Sequence, residues 1–331
     1  MFLILFIITF NIAIYLLNNR MSKFLNLYDK PDNLRKLHKS KVPLTGGIII
    51  LLNAILALIL SLMEQFYYKK SILFESEQDL FILLISILII FLIGFFDDKY
   101  NISANKRFVF FFIILFPIIF LSENLIIKQV EVSFLEYVYT LPLIFSIFWT
   151  VLCFLLFINA FNMFDGINYQ AGCYSIYLSL FFLINNFFDL FFLFILTGLI
   201  TFVILNHKYK SFLGDGGAYL LAFIFGYFFI RFYNQTDNIK ADHILLFMII
   251  PGIDLIRLFI LRISRGTKPF SPDRNHFHHI MLKRYNLFET NLIIQSLIII
   301  PSLLGYYLGY TYIFFITQMI FYFYLVLHKK I

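Results

Sequence analysis

The sequence predicts an all-α membrane protein that crosses the bilayer many times, and its composition is the main reason. Of the 331 residues, 61% are hydrophobic and only 14% are charged. Soluble domains are about 45–50% apolar and roughly 25% charged, so too little polar surface is present to cover a water-soluble body of this size. The apolar residues form long unbroken runs without strict alternation, which indicates membrane-spanning helices and not a β-barrel.

Eleven apolar runs are read as membrane spans. They lie at about 2–18, 44–63, 79–96, 107–122, 141–158, 171–184, 189–206, 218–232, 243–263, 291–310 and 312–327. The break between the sixth and seventh runs is weak, so the expected number of spans is about 10–11. Pro251-Gly252 is expected to interrupt the ninth. The first run has no preceding positive charge and no cleavage site, which favours a retained span over a signal peptide. Because no soluble domain or linker appears, residues 1–331 are expected to form a single integral membrane domain.

The positive charges predict the orientation. If successive loops alternate sides, one face carries 19 Lys and Arg residues and the opposite face carries 4. Positive loops stay cytoplasmic, so we expect an outside N-terminus and a cytoplasmic C-terminus in a bacterial inner membrane. The net charge is +7, but the placement of the charges matters more than their sum, and no nucleic-acid partner is expected. Cys153 and Cys173 lie in or beside apolar runs, where isolated thiols are more typical of core packing than of a disulfide or metal site.

A short polar stretch between two strongly apolar runs is Asn159-Ala-Phe-Asn-Met-Phe-Asp-Gly-Ile-Asn168. It carries one carboxylate, Asp165, with Asn162 and Asn168 on either side. A loop held between two spans has little structural reason to carry a carboxylate and three amides in ten residues. We therefore interpret it as the centre of a site.

Two acidic motifs are expected on the same cytoplasmic face. Asp97-Asp98 ends the third run, and Phe212-Leu-Gly-Asp-Gly-Gly217 precedes the eighth and carries Asp215. Taken alone, the first is also typical of a solvated helix end and the second of a turn. Taken together, hard carboxylates suit Mg²⁺, with Mn²⁺ as the alternative, and glycines let the backbone approach a ligand closely.

A histidine-rich motif, Pro272-Asp-Arg-Asn-His-Phe-His-His279, is also expected on that face. The spacing of His276, His278 and His279 is not that of a familiar zinc-binding helix. Beside carboxylates and a basic loop, these imidazoles and Arg274 better fit donors for a phosphorylated ligand.

Topology does not explain why these clusters share a face, because acidic residues contribute little to orientation. Carboxylates, basic side chains and imidazoles that meet at a membrane surface indicate phosphoryl transfer between a soluble and a lipid substrate. A transporter would instead place ionisable groups near mid-membrane, on broken helices in paired halves. Only the segment from Pro251 to Arg257 fits that description. Asp254 and Arg257 are three residues apart and are expected to pair, with a structural and a functional role both open.

With these motifs in hand, the chain resembles the polyprenyl-phosphate N-acetylhexosamine-1-phosphate transferases, which are related to the phospho-N-acetylmuramoyl-pentapeptide transferases. The resemblance extends from about Asp29 to Lys283 and depends on five motifs in the family's order. They are Arg35-Lys36-Leu-His38 with Pro43-x-x-Gly-Gly47, Gly94-Phe-Phe-Asp-Asp98, Asn159-Ala-Phe-Asn-Met-Phe-Asp-Gly166, Phe212-Leu-Gly-Asp-Gly216 and Asp273-Arg-Asn-His-Phe-His-His279. The resemblance implies Mg²⁺, a UDP-amino-sugar and undecaprenyl phosphate as substrates, and UMP as the leaving product.

The resemblance and the chemistry together suggest roles for the residues of the acidic motifs. Asp215 is expected to bind Mg²⁺, and Asp98 to be a second ligand or to position the lipid phosphate. Asp97 is expected to orient rather than to deprotonate, and Lys106 to approach the lipid phosphate.

The other two motifs are assigned to the donor. Asp165, with the amides Asn159, Asn162 and Asn168, is expected to hold the nucleotide or sugar. His276, His278, His279 and Arg274 are expected to grip the diphosphate.

Two departures from the family pattern matter. Asn168 stands where a second Asp is usual, and Tyr169-Gln170 replaces Gly-Leu, so charge or a base is lost there and a different sugar is one reading. The histidine segment lacks the three consecutive histidines of the muramoyl-pentapeptide branch. This favours the hexosamine branch, with the muramoyl-pentapeptide enzyme as the alternative. A homodimer through lipid-facing aromatic surfaces is compatible with the chain, but no motif supports it.

Overall fold

The computed structural model describes residues 2–31, 40–68, 77–268 and 274–328, with the side chains of 65–68 left out. Its helices are α1 Phe2–Leu25, α2 Gly46–Tyr68, α3 Glu77–Tyr100, α4 Ala104–Leu121, α5 Leu143–Phe164, α6 Gln170–Ile184, α7 Asp189–His207, α8 Gly214–Gln235, α9 Ala241–Ser264, α10 Phe277–Leu282, α11 Leu287–Leu308 and α12 Thr311–Leu327. A 3₁₀ turn covers Glu123–Leu125. Two antiparallel strand pairs are β1 Tyr28–Asp29 with β2 Val42–Pro43, and β3 Gln129–Val130 with β4 Tyr139–Thr140.

An apolar helix stands at each of the eleven predicted spans. Within the described ranges, nine helices are long and apolar enough to cross a membrane, and α6 and α12 are shorter apolar helices. The predicted all-α, multi-pass membrane architecture is confirmed. The predicted side of each terminus stays a prediction.

The helices extend further into the motifs than the sequence indicated. The third span continues through Asp97-Asp98, the fifth continues to Phe164, and the eighth begins at Gly214. The motifs were expected in loops, but backbone hydrogen bonding does not depend on side-chain polarity, so a helix can continue into polar residues beyond its apolar run. The expected interruption at Pro251-Gly252 is wrong, because α9 is continuous from Ala241 to Ser264. The long loop predicted at 264–290 contains α10.

The chain folds into two compact units. The first comprises residues 1–107 and 171–224, and the second comprises residues 108–170 and 225–331. The expectation of a single domain stays a prediction.

In the first unit, close helix packing depends on small residues at the N-terminal end of α8. A Cβ added at Gly47 would lie 2.5 Å from Gly217 N, and one added at Gly94 would lie 2.5 Å from Gly216 Cα. Backbone atoms of α2 and α3 therefore touch the first turn of α8, which larger residues would prevent. The amides of Asn11 in α1 and Asn53 in α2 also exchange hydrogen bonds of 3.0 and 3.1 Å.

In the second unit, α9 packs against α5, α11 and α12. The segment after α4 is fixed to the start of α9, since Lys240 pairs with Glu131 and Asp242 Oδ1 accepts a 2.8 Å hydrogen bond from Ser133 N. The histidine segment contacts the middle of α9, where Asp254 Oδ2 accepts a hydrogen bond from Phe277 N.

Candidate active site

The first unit brings together the three acidic residues that the sequence singled out there. The two oxygens of Asp98 accept hydrogen bonds from the backbone N–H groups of Asp215, at 2.9 Å, and Gly216, at 3.1 Å. The carboxylate of Asp215 interacts electrostatically with those of Asp97 and Asp98. Asp98 therefore caps the N-terminus of α8, where the helix dipole favours negative charge, and it holds Asp215 beside it.

Asp97 is almost fully buried, at 2% exposure, and it is the centre of a second network. Its Oδ2 accepts hydrogen bonds from Arg107 Nη1 and from the Tyr219 hydroxyl, both at 2.8 Å, and its Oδ1 accepts one from Ile102 N at 2.8 Å. Arg107 Nη1 also lies 2.7 Å from the Tyr219 hydroxyl oxygen. Because its oxygens already have these partners, Asp97 is suited to orienting its neighbours, and that role stays a prediction.

Asp97, Asp98 and Asp215 are called the acidic cluster. Glycines leave the space that this cluster needs. The Cβ that an alanine would place at Gly94 would come within 2.6 Å of the Asp215 carbonyl oxygen. Gly214 has φ +73°, a left-handed conformation that glycine adopts easily, and a Cβ there would lie 2.7 Å from Asp98 Oδ2. The Gly-rich motif is thus required by the approach of α3 and α8.

The segment before α2 joins the same end of the first unit. Gly46 N and Gly47 N donate to the carbonyls of Phe212 and Leu213, and Phe212 N donates to Pro43 O. Two motifs that are far apart in sequence are therefore hydrogen-bonded to each other. Arg35, Lys36 and His38 lie outside the described residues.

Of the two neighbouring cations at the start of α4, Arg107 reaches the carboxylate of Asp97 and Lys106 does not. Lys106, in the first turns of α4, is exposed, whereas Arg107 forms the ion pair with Asp97. The predicted approach of Lys106 to a lipid phosphate stays a prediction.

The donor set of the acidic cluster fits a hard cation. Among the residues that the structure describes, no group of three His, Cys, Asp or Glu side chains is arranged to hold a metal ion. Mg²⁺ is usually held by one or two carboxylates together with substrate phosphates, so Asp215, with the remaining lone pairs of Asp98, is a chemically suitable set.

In the second unit, the end of α5 meets the histidine segment. A Cβ added at Gly166 would lie 2.0 Å from His278 Nε2, so His278 packs directly on the backbone next to Asp165. Asp165 forms the C-cap of α5, and its N–H donates to Phe161 O at 3.0 Å. A small cavity lies beneath this contact and is lined in part by Phe164, Gln170 and His278. The central motif, residues 159–168, and the histidine segment are therefore in contact, and their shared role in one site stays a prediction.

The amides of the central motif are used in different ways. Asn159 Nδ2 donates to Leu155 O on its own helix at 2.7 Å, and Asn162 lies two residues before the end of α5 at Phe164. Asn168 takes part through its backbone, whose carbonyl oxygen accepts a hydrogen bond from Asn291 Nδ2 at 3.0 Å. Tyr169 has φ +74°, a conformation that disfavours a bulky side chain.

Three imidazoles lie together at the start of α10. The ring centroids of His276 and His278 are 5.5 Å apart with an interplanar angle of 13°, and those of His278 and His279 are 4.3 Å apart. Burial, followed by the neighbouring His279 and His276 imidazoles, lowers the pKa of His278 well below its usual range. His278 is therefore a neutral side chain near pH 7. Arg274 is exposed.

A buried ionic network holds the histidine segment. Arg257 Nη2 donates to Asp254 Oδ1 and to the carbonyl oxygen of Asn275, both at 2.6 Å. Tyr322 of α12 donates its hydroxyl to Asp254 Oδ1 at 2.6 Å. The predicted pairing of Asp254 and Arg257 is confirmed, and the pair also contacts the segment that precedes α10.

Sequence reasoning missed three site residues: Arg107, Tyr219 and Tyr322. Arg107 was counted only as a topology-determining charge. Tyr219 lies one helical turn after Asp215, on the same face of α8, and this spacing could have identified it. Tyr322 lies in an aromatic-rich helix 68 residues from Asp254, and no local pattern marks it.

Comparisons with known proteins agree with the motif analysis. The family model of glycosyl transferase family 4 matches residues 80–233, the range that contains both acidic motifs and the central motif. The predicted family resemblance is confirmed. The histidine segment lies outside the range of the family 4 match.

Individual relatives extend the family 4 resemblance over most of the chain. The undecaprenyl-phosphate alpha-N-acetylglucosaminyl 1-phosphate transferase of Salmonella typhi is 26% identical over 78% of this chain and 70% of its own length. The protein of the same name from Escherichia coli K12 is 27% identical, over 80% of this chain and 71% of its own. The one from Thermotoga maritima is 25% identical, over 86% of this chain and 83% of its own.

Proposed function

We propose that this chain transfers N-acetylhexosamine-1-phosphate from a UDP-sugar to undecaprenyl phosphate, releases UMP, and so initiates a lipid-linked cell-envelope glycan. The observation that carries the proposal is the acidic cluster at the N-terminus of α8, where Asp98 holds Asp215 by two backbone hydrogen bonds. The names of the relatives support the lipid acceptor and the sugar.

The reaction needs one bond to form and one to break. An oxygen of the lipid phosphate attacks the phosphorus that carries the sugar, and the bond from that phosphorus to the bridging oxygen of UDP breaks, so UMP leaves with the electron pair. Because the second pKa of a phosphate monoester is about 6, the attacking oxygen is already ionised at neutral pH. Little general-base assistance is then required, which agrees with an Asp97 whose oxygens are occupied.

The acidic cluster serves as the metal and phosphate end of the reaction. Asp215, assisted by Asp98, would hold Mg²⁺, which neutralises negative charge on the diphosphate and on the departing UMP. Arg107 and Tyr219 keep Asp97 in place, and Lys106 approaches the lipid phosphate from the start of α4.

The second unit serves the donor. Asp165, Asn162 and Asn168 hold the nucleotide or the sugar through hydrogen bonds. His276, His279 and Arg274 bind the diphosphate oxygens. His278, which was also expected to bind them, is buried against Gly166 and instead fixes the turn after Asp165.

We further propose that the reaction takes place at the cytoplasmic face of a bacterial inner membrane. The count of positive loop charges supports this orientation. Labelling of single cysteines placed in the loops at Asp237 and at Arg265 by a membrane-impermeant reagent would test it, and the second position is expected to react only after the membrane is opened.

The test of the function is direct. Purified protein is incubated with undecaprenyl phosphate, Mg²⁺ and either UDP-N-acetylglucosamine or UDP-muramoyl-pentapeptide, and UMP release is measured together with the labelled lipid product. The proposal predicts UMP and product from the first donor. Product from the second donor alone would assign the muramoyl-pentapeptide reaction, and the absence of UMP from both would overturn the proposal.

Chelation tests the metal separately. Excess EDTA is expected to stop UMP release, and added Mg²⁺ to restore it. Full activity in EDTA would remove the metal from the proposal.

A further inference from the structure

The buried carboxylate of Asp254 has its two oxygens engaged in different ways. Oδ1 accepts from Arg257 Nε at 3.2 Å, from Arg257 Nη2 at 2.6 Å and from the Tyr322 hydroxyl at 2.6 Å. Oδ2 accepts only the Phe277 N–H, at 3.2 Å, among the hydrogen bonds of the described residues. One oxygen is thus fixed to α9 and α12, and the other faces the start of α10.

His276 stands opposite that second oxygen. Its Nδ1 lies 3.5 Å from Asp254 Oδ2, and within the described part of the chain this buried nitrogen has no hydrogen-bond partner. The ring is otherwise restrained by its near-parallel stacking on His278. A small rotation of the side chain would close the contact to a hydrogen bond.

The contact at Nδ1 also determines the direction in which Nε2 of His276 points. Nδ1 and Nε2 lie on opposite sides of the ring, so a ring whose Nδ1 faces a buried carboxylate turns Nε2 away from it. The side chain of His276 is 13% exposed, whereas His278 is 3% exposed. Of these two imidazoles, His276 is the one with surface left for a ligand.

We propose that Asp254 is a positioning residue that orients His276, so that Nε2 faces the donor diphosphate, and that Tyr322 extends this orientation to α12. This inference depends on the proposed function and deepens it, since it assigns the orientation of one donor contact. An interaction of a carboxylate with one imidazole nitrogen fixes which nitrogen is presented to a ligand.

The network contains a mild variant that leaves both charges in place. Tyr322→Phe removes the hydroxyl that donates to Asp254 and that accepts from Arg257 Nε at 2.8 Å. Asp254→Asn is a harsher change, because it leaves the Arg257 guanidinium buried without its carboxylate. The two variants test the same contact at two levels of perturbation.

The expected effects concern the donor. His276→Gln should lower kcat/KM for the UDP-sugar by about 100-fold, the range for loss of one preorganised donor. Tyr322→Phe should raise the KM for the UDP-sugar about fivefold, the factor of a typical net hydrogen bond, and leave the KM for undecaprenyl phosphate unchanged.

A double-mutant cycle separates positioning from a general structural role. If Tyr322 and Asp254 act through His276, then Tyr322→Phe or Asp254→Asn should cost nothing further in the His276→Gln background. The control is Gln318→Met, in the same helix, whose side chain donates to the carbonyls of Leu246 and Leu297. This control should leave both KM values unchanged.

Each outcome is decisive. Costs that add in the double variants, a Tyr322→Phe variant equal to the wild type, or an equal loss in Gln318→Met would overturn the positioning role while the transferase function stands. A wild-type protein that transfers no sugar phosphate at all would overturn both.

Discussion

The acidic cluster of the first unit and the histidine cluster of the second are held in place by different kinds of contact. Asp98 and Asp215 are held through backbone N–H groups and by glycines that allow α3 to touch α8. The histidine segment is held by charged and hydroxyl side chains, those of Asp254, Arg257 and Tyr322.

The difference has consequences for how each cluster tolerates change. A backbone-held cluster depends on the absence of side-chain atoms at a few positions, so one added methyl group disturbs it. A cluster held by a buried ion pair depends on the presence of its partners, and removing one partner leaves a buried charge uncompensated. The predictions below test this contrast.

The largest effect is expected from Asp215→Asn. Loss of the carboxylate should reduce transfer of sugar phosphate by about 1000-fold, the upper range for removing one preorganised electrostatic group, while the protein remains folded in detergent. The assay is labelled product formation, with size-exclusion chromatography to check folding. Asp237→Asn, at an exposed loop position, is the control. An active Asp215→Asn protein would remove this residue from the site.

The contrast itself is tested by Gly94→Ala. The new Cβ would lie within 2.6 Å of the backbone of Asp215, so α8 must shift and transfer should fall by about 100-fold. Gly252→Ala is the matched control, because a Cβ at Gly252 has nothing within 4 Å. Equal activities in the two variants would show that the contact between α3 and α8 does not position the acidic cluster.

Arg107 separates charge from geometry in the first unit. Arg107→Lys keeps the charge but replaces the guanidinium, whose Nη1 contacts both Asp97 and Tyr219, with an ammonium group on a side chain of different shape. We expect an activity loss of about tenfold, and a larger one for Arg107→Met, because Asp97 then loses the cation of its ion pair. Lys106→Met isolates the neighbouring charge and should affect the KM for the lipid. If Arg107→Met kept full activity, Asp97 would not need its partner.

Much of this organisation was predictable from the sequence, and the limits have physical causes. The apolar runs predicted the helices, because a segment that crosses a bilayer as a helix forms all its backbone hydrogen bonds within itself. Asp98 and Asp215 were found because short motifs carry their own glycine and acid spacing. The capping of α8 by Asp98 was not predictable, because it depends on a hydrogen bond from Asp215 N to the side chain of a residue 117 positions earlier.

The second unit was less predictable. The pairing of Asp254 with Arg257 follows from helix spacing, but its partner Tyr322 is one of 21 tyrosines, and nothing local distinguishes it. The continuity of α9 through Pro251 was also missed, because neighbouring helices in a membrane protein can supply what a proline removes. Tertiary contacts and not local pattern decide these features.

The smallest effect concerns pH and His278. Its pKa is lowered by burial and then by the neighbouring imidazoles. Below the pKa of a free histidine, the unfolded chain therefore binds a proton at His278 that the folded protein does not bind. Stability should therefore fall as the pH drops below about 6.5, by about 1.4 kcal/mol per pH unit from this group. Thermal unfolding in detergent at pH 7.5, 6.5 and 5.5 measures it.

His278→Gln should flatten this acid-side decline even if it lowers stability at pH 7.5, where Gly166 loses its packing partner. His328→Gln, at an exposed position, should leave the decline as it is in the wild type. Parallel pH profiles for wild type and His278→Gln would mean that the buried imidazole is not the group that titrates. The acid sensitivity of the histidine cluster, His276, His278 and His279, would then come from the ion pair of Asp254 and Arg257. Only this ion pair would then distinguish it from the acidic cluster.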